Sequence, residues 1–237
     1  MLSQEEQLRI RESINAVSAR ASSSIQQCTN AWQAIVFLKS LHSSIDAVVN
    51  EPRSFDLTPE CKAGCSFCCS VKVEVSDPEA IQIARHVQDL PQDVRAKLIE
   101  KLEFAAAQKS NLTTPERTDC AFLEAGLCSI YTIRPSVCRK AHSLSVKECE
   151  ELAPEIPQNL NLLLQCEVIA AGANEAFQQN NLHVGNNELS SAVLAALATV
   201  NAAEEWFRGK PLVCGAGTAL NSDDTNAASA LQPDVAR

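Results

Sequence analysis

Eight of the eleven cysteines in this 237-residue chain fall into two dense groups. The first is Cys61-x-x-x-Cys65-x-x-Cys68-Cys69, and the second sets Cys120 with Cys128, Cys138 and Cys149. Cys28, Cys166 and Cys214 stand apart at helical spacings. A thiolate is the soft, charged ligand that zinc and iron–sulfur clusters prefer, so this crowding points to metal binding. Ligands roughly two to four residues apart converge from one tight turn, and Gly64 permits the sharp backbone such a turn needs. Ligands from the second group would tie two distant segments together, so that binding also stabilises the fold.

The doublet Cys68-Cys69 restricts the arrangement. In an extended segment neighbouring side chains point to opposite faces. One thiol would then go to each of two metal centres, or one to a cluster and the other to a second role. Eight thiols could make two four-cysteine zinc sites, one cluster with a mononuclear site, or a cluster with spare cysteines. Four thiolates around one zinc leave a net charge of about −2, which is costly to bury without nearby donors or cations. Lys62, Lys72, Arg134, Arg139 and Lys140 lie beside the cysteines and could supply both, although Lys62 and Lys72 read somewhat better as simply solvated. His142, four residues after Cys138, has the chemistry of a ligand or proton donor; a lone histidine is more often a packing residue.

Composition excludes several other functions. The net charge of −9 and the lack of any Lys/Arg run argue against nucleic acid. Neither a dinucleotide fingerprint nor a P-loop occurs among only seven glycines. No membrane span is expected, because the longest uncharged apolar run, Ala192–Val200, falls far short of roughly 20 residues. The acidic start, Met1 to Glu6, lacks the order of a secretory signal, so the chain reads as cytoplasmic, where thiols stay reduced. That sets a disulfide framework aside. The spacing from Cys61 to Cys68 also occurs in radical S-adenosylmethionine enzymes, but no alternation of strands and helices suggests their barrel.

The expected fold is mainly α: a helical protein with a small irregular, short-β, cysteine-rich metal-binding core. Residues 1–50 read as an N-terminal helical arm, of one helix or two, with Leu8, Ile14, Val17 and Ala21 in register and a break at Ser22-Ser23-Ser24. Such an arm suits core packing, a protein partner or self-association. Residues 51–150 read as the cysteine-cluster domain. Within it the spacing predicts a strand through Val71, Val73 and Val75, and a helix begun by Asp77-Pro78-Glu79 with Asp77 as the capping carboxylate. A second helix follows over Gln92–Lys109, then a hairpin around Glu124-Ala125-Gly126. Helices over Val146–Leu152, Leu160–Gln179 and Glu188–Phe207 follow, those of residues 151–213 packing on the core; residues 214–237 read as a disordered tail.

The stretch Cys61-Lys-Ala-Gly-Cys65-Ser-Phe-Cys68-Cys69, followed by Cys120 and Cys128-Ser-Ile-Tyr131-Thr-Ile-Arg134-Pro135-Ser-Val-Cys138-Arg139, resembles the YkgJ-like CxxCxxCC cysteine-cluster family. The resemblance covers roughly residues 58–150 and implies a domain that chelates zinc or iron. It departs at the first gap, which holds three residues here where many members have two. By resemblance the metal ligands are Cys61, Cys65, Cys68, Cys69, Cys120, Cys128 and Cys138, with Cys149 as the eighth and Cys166 as its substitute. The implied cofactor is zinc, iron or an iron–sulfur cluster, serving storage, delivery, sensing or structure. The alternative it offers is an iron–sulfur-dependent methyltransferase, since flagellin lysine methylases look like relatives and use such a cluster with S-adenosylmethionine. Physical roles suggest themselves for the other shared positions. Pro135 would set a turn, Tyr131 would pack over the site and bond through its hydroxyl, and Arg134 and Arg139 would be mainly structural.

Overall fold

Ser3 opens the first helix with a reciprocal cap: its hydroxyl accepts from the Glu6 N–H at 3.2 Å, and the Glu6 carboxylate accepts from the Ser3 N–H at 2.7 Å. The computed structural model describes residues 3–54, 57–62, 64–110 and 117–213. The tail expected from Cys214 onward lies outside these residues.

Helix α1 (Gln4–Ile25) runs straight through Ser22-Ser23-Ser24 rather than breaking there. Ser22 is buried and accepts from the Asn180 side chain at 2.8 Å, while the Ser24 hydroxyl donates back to the Arg20 carbonyl at 3.3 Å. The break comes at residues 26–30, where Asn30 caps α2 (Ala31–Val36) by accepting from Gln33 N–H at 3.0 Å. Phe37, itself in helical conformation, leads directly into α3 (Leu38–Val49).

Helix α1 lies along α8 (Leu160–Gln179), the longest apolar helix of the second half. Their approach depends on Gly172: a Cβ there would lie 2.6 Å from the Val17 side chain and 2.9 Å from the Ile14 carbonyl. Gly172→Ala should therefore cost about 1–3 kcal/mol through overpacking. Urea unfolding measures it, and an unchanged midpoint would contradict this close packing.

Helix α4 (Asp77–Gln88) begins one residue earlier in function than expected. Ser76 is the cap residue, and its N–H and hydroxyl donate to the Glu79 carboxylate at 3.1 and 2.8 Å. Asp77 turns inward instead, fully buried, and accepts from Leu212 N–H at 3.0 Å and His183 Nδ1 at 2.8 Å. Its carboxylate thus ties the end of the described chain to the start of α4. The expected strand over residues 71–75 contracts to β1 (Glu74–Val75), because its antiparallel partner β4 (Asn187–Glu188) is equally short.

Helix α5 (Gln92–Ser110) follows, then a hairpin of β2 (Leu123–Glu124) and β3 (Leu127–Cys128). Its turn residues Ala125 and Gly126 take φ of 49° and 78°, the left-handed pair that a two-residue hairpin turn demands. Two five-residue helices, α6 (Ser136–Lys140) and α7 (Val146–Glu150), precede α8. The final apolar stretch splits into α9 (Leu189–Ala198) and α10 (Ala202–Phe207) at Asn201, whose φ is 54°. Helix α9 packs against α4 and α5, and α10 against α2. Phe37, Phe177 and Trp206 meet edge to face, with ring centroids 5.9 and 5.7 Å apart.

The protein is mainly α, as expected, with the cysteine segments laid over the α3, α4 and α8 framework. No helix among the described residues is long and apolar enough to cross a membrane.

Candidate metal centre

The first four cysteines are wound onto two successive tight turns. Gly64 takes φ of +86°, the Cys65 N–H donates to the Lys62 carbonyl at 2.9 Å, and the Cys69 N–H donates to the Ser66 carbonyl at 2.8 Å. Cys68 and Cys69 therefore sit in a 3-10 turn over Phe67–Ser70, not in the extended segment expected. Successive side chains on such a turn diverge by roughly a third of a rotation, so the two thiols can still serve different neighbours.

The second group is brought in by backbone bonds. The Cys120 N–H donates to the Cys69 carbonyl at 2.8 Å and the Thr118 N–H to the Ser70 carbonyl at 3.0 Å. The hairpin supplies Cys128, α6 supplies Cys138 and α7 supplies Cys149. The connector between α6 and α7 clamps the start of the cluster. Ser143 N–H donates to Cys61 Sγ at 3.3 Å, Glu60 N–H to the Ser143 carbonyl at 2.9 Å, and Val146 N–H to Glu60 at 2.8 Å. Arg117 fastens α7 from below by donating to the Cys149 carbonyl, and its guanidinium lies 5.3 Å over the Phe67 ring.

The eight cysteines expected at the site are free thiols, and charge influences run among them in two overlapping sets. Cys61 is pushed up by burial of its sulfur, partly offset by the Ser143 N–H, and then by Cys65, Cys68 and Cys149. On the other side burial pushes Cys138 up to about 12, with further contributions from Cys120, Cys68, Cys128 and Glu79. Burial also raises Cys128. Cys68 belongs to both sets, since it bears on Cys61, Cys69, Cys128 and Cys138 alike. The Cys69 thiol donates to it, which holds Cys68 below and Cys69 above the usual thiol range; Arg134 lowers Cys68 further. Among the described residues no three His, Cys, Asp or Glu side chains stand close enough to hold one ion as placed. The donors fit zinc or iron in kind and number, while the thiols are neighbours rather than a closed shell.

Several neighbours have roles of their own. His142 is not aimed at a metal: its Nδ1 faces the Lys140 carbonyl at 2.8 Å and its Nε2 accepts from Asn159 N–H at 3.0 Å. Both ring nitrogens are spent on the backbone, which makes it a brace. Arg139 is buried and structural, donating to Asp46 at 2.5 Å and to the carbonyls of Thr132 and Arg134 at 2.7 and 2.9 Å. Arg134 pairs with Asp46 at 3.4 Å and stacks 3.8 Å over Tyr131. Tyr131 is itself exposed, so it backs the arginine instead of covering the cysteines. Cys166 is fully buried in α8, and the charges bearing on it are Lys140, Glu167 and Arg53, with no cysteine among them.

The sequence offered no signal for Glu79, which reads there only as an acidic residue in a first helical turn. Burial pushes its carboxyl up, but hydrogen bonds from His42, Ser136 and Ser76 outweigh this and hold it at about 2.

Residues 60–162 match the CxxCxxCC family, whose description is "Putative zinc- or iron-chelating domain". The match starts one residue before Cys61 and ends in the first turn of α8. The matched segment includes Cys149 and stops short of Cys166. No curated protein and no solved structure matches the chain.

Proposed function

We propose that this chain binds zinc or iron through Cys61, Cys65, Cys68, Cys69, Cys120, Cys128, Cys138 and Cys149, in a centre of two lobes that share Cys68. The observation that carries this reading is the gathering itself: thiols from five separate segments bear on one another, and Cys68 bears on both sets. One lobe draws on Cys61, Cys65 and Cys149; the other draws on Cys69, Cys120, Cys128 and Cys138. The sharing favours more than one metal ion, bridged by a thiolate, or a single cluster. Bound metal would supply the charge that holds these thiolates together and cross-links their segments. The ten described cysteines are thiols, which suits a reducing compartment such as the cytoplasm.

The deciding experiment is anaerobic purification followed by measurement of zinc, iron and acid-labile sulfide per chain. Colourless protein with more than one zinc supports the bridged site; brown protein with stoichiometric sulfide supports a cluster. Disulfides in place of metal would overturn the reading. Burial holds Cys61, Cys128 and Cys138 protonated at neutral pH, so metal must displace protons. Apparent affinity should therefore rise with pH, roughly tenfold per pH unit for each proton displaced. Competition with a chromophoric chelator at several pH values checks the slope.

One observation favours a second reading, an iron–sulfur-dependent enzyme. A cleft of about 890 Å³ between α5 and residues 117–123 has Lys97, Lys101, Phe104, Arg117 and Cys120 in its walls. This is room for a small-molecule substrate beside the cysteine site. A spectral change of the loaded protein on adding S-adenosylmethionine would support it.

A further inference from the structure

The two lobes are not held alike. Cys138 rides on α6, a helix of five residues that cannot persist on its own. Its first residue, Ser136, donates both its N–H and its hydroxyl to Glu79 Oε1, each at 2.7 Å. The N–H is one of the groups that a helix start leaves without an intrahelical partner. The same carboxylate takes Ser76 of the α4 cap on its other oxygen and His42 of α3 at 3.3 Å. At the far end of α6, Arg139 is fastened to Asp46 of α3. Cys138 lies between these two anchors, and both belong to the helical framework. Helix α7, which carries Cys149, starts on a carboxylate too, but an exposed one: Val146 N–H donates to Glu60 at 2.8 Å. Ser145 caps the helix at 3.3 Å and Arg117 holds its last carbonyls, with no buried carboxylate at its start among the described residues.

We propose that Glu79 is a positioning residue for the metal centre, presetting Cys138 through Ser136 before any metal arrives, whereas the Cys149 side is drawn closed by the metal. The inference rests on the metal-binding reading above. It predicts that loss of Glu79 weakens the Cys138 lobe selectively.

The test titrates the metal-free full chain with Co²⁺ alone under anaerobic conditions and follows the thiolate-to-cobalt charge-transfer band. Cys138→Ser and Cys149→Ser assign the absorbance to each lobe. In Glu79→Gln the affinity of the cobalt assigned to Cys138 should fall roughly 10–100-fold, the range seen when a partner behind the ligands is lost. The cobalt assigned to Cys149 should bind as in the parent. Equal weakening of both, or of neither, would overturn the proposal, the first because it marks a general loss of structure. If Glu79→Gln does not fold, Ser136→Ala decides the question in its place, with a smaller shift expected in the same lobe alone and recovery in Ser136→Thr. A parent chain that takes up no cobalt would overturn the metal reading and this inference together; a parent that binds cobalt while Glu79→Gln binds identically overturns the inference alone.

Discussion

Replacing Cys149 by serine should remove metal from the protein, and replacing Cys166 by serine should not. The two residues compete for the eighth place by sequence, and they differ in surroundings. Cys149 bears on Cys61, while Cys166 is sealed in α8 among core residues. Metal held at about 1,000 times its dissociation constant adds about 4 kcal/mol to stability, so Cys149→Ser should lose much of that difference between loaded and chelated protein. Cys166→Ser should lose about 1–3 kcal/mol in both forms, because its hydroxyl enters an apolar site. Metal content and urea unfolding, each with and without chelator, separate the two effects. Metal loss in Cys166→Ser with full retention in Cys149→Ser would reverse the assignment.

Acid should unfold the metal-free protein through Glu79 more than through any exposed carboxylate. Its folded value, about 2, lies below the ordinary 4.5, so the folded chain holds the carboxylate ionised where the unfolded chain protonates it. The resulting stability, about 3 kcal/mol, is fully present above pH 4.5 and is lost as pH falls toward 2. Glu79→Gln carries no such charge, so it should be less stable than the parent at pH 6, and the gap should close on acidification. Urea midpoints at stepped pH on chelated protein measure this. Parallel acid curves for the two chains would show that Glu79 is not the titrating group.

Much of the fold was legible because it is written in local signals. Residues 160–179 form the helix expected from periodicity, and Ala125-Gly126 forms the expected turn, since only residues that tolerate left-handed backbone fit there. The first break was misplaced because three serines look like a linker, whereas here Ser22 faces α8 and is paired with Asn180. Asp77 looked like a cap because a cap and an inward-facing carboxylate have the same sequence neighbourhood; distant partners such as His183 and Leu212, 135 residues away, distinguish them. The crowding of cysteines was legible, but which of them bear on one another was not. That depends on the 3-10 turn of Cys68 and Cys69, a local turn where an extended segment was expected, and on backbone bonds from residues 118–120 to Cys69 and Ser70, which join segments far apart in the chain. Glu79 was invisible for the same reason, as its partner Ser136 lies 57 residues away.

The clamp between Cys61 and Ser143 spans 82 residues of chain, and this separation sets an order of events during synthesis. The thiols of Cys61, Cys65, Cys68 and Cys69 leave the ribosome long before Cys138 and Cys149 exist to meet them. At roughly 5–20 residues per second the early group waits several seconds without its counterpart. On the metal-binding reading proposed above, a complete site could be loaded only after Cys149 has emerged, so metal supply and oxidants would act on two different molecules: a nascent one with four bare thiols, and a later one with eight.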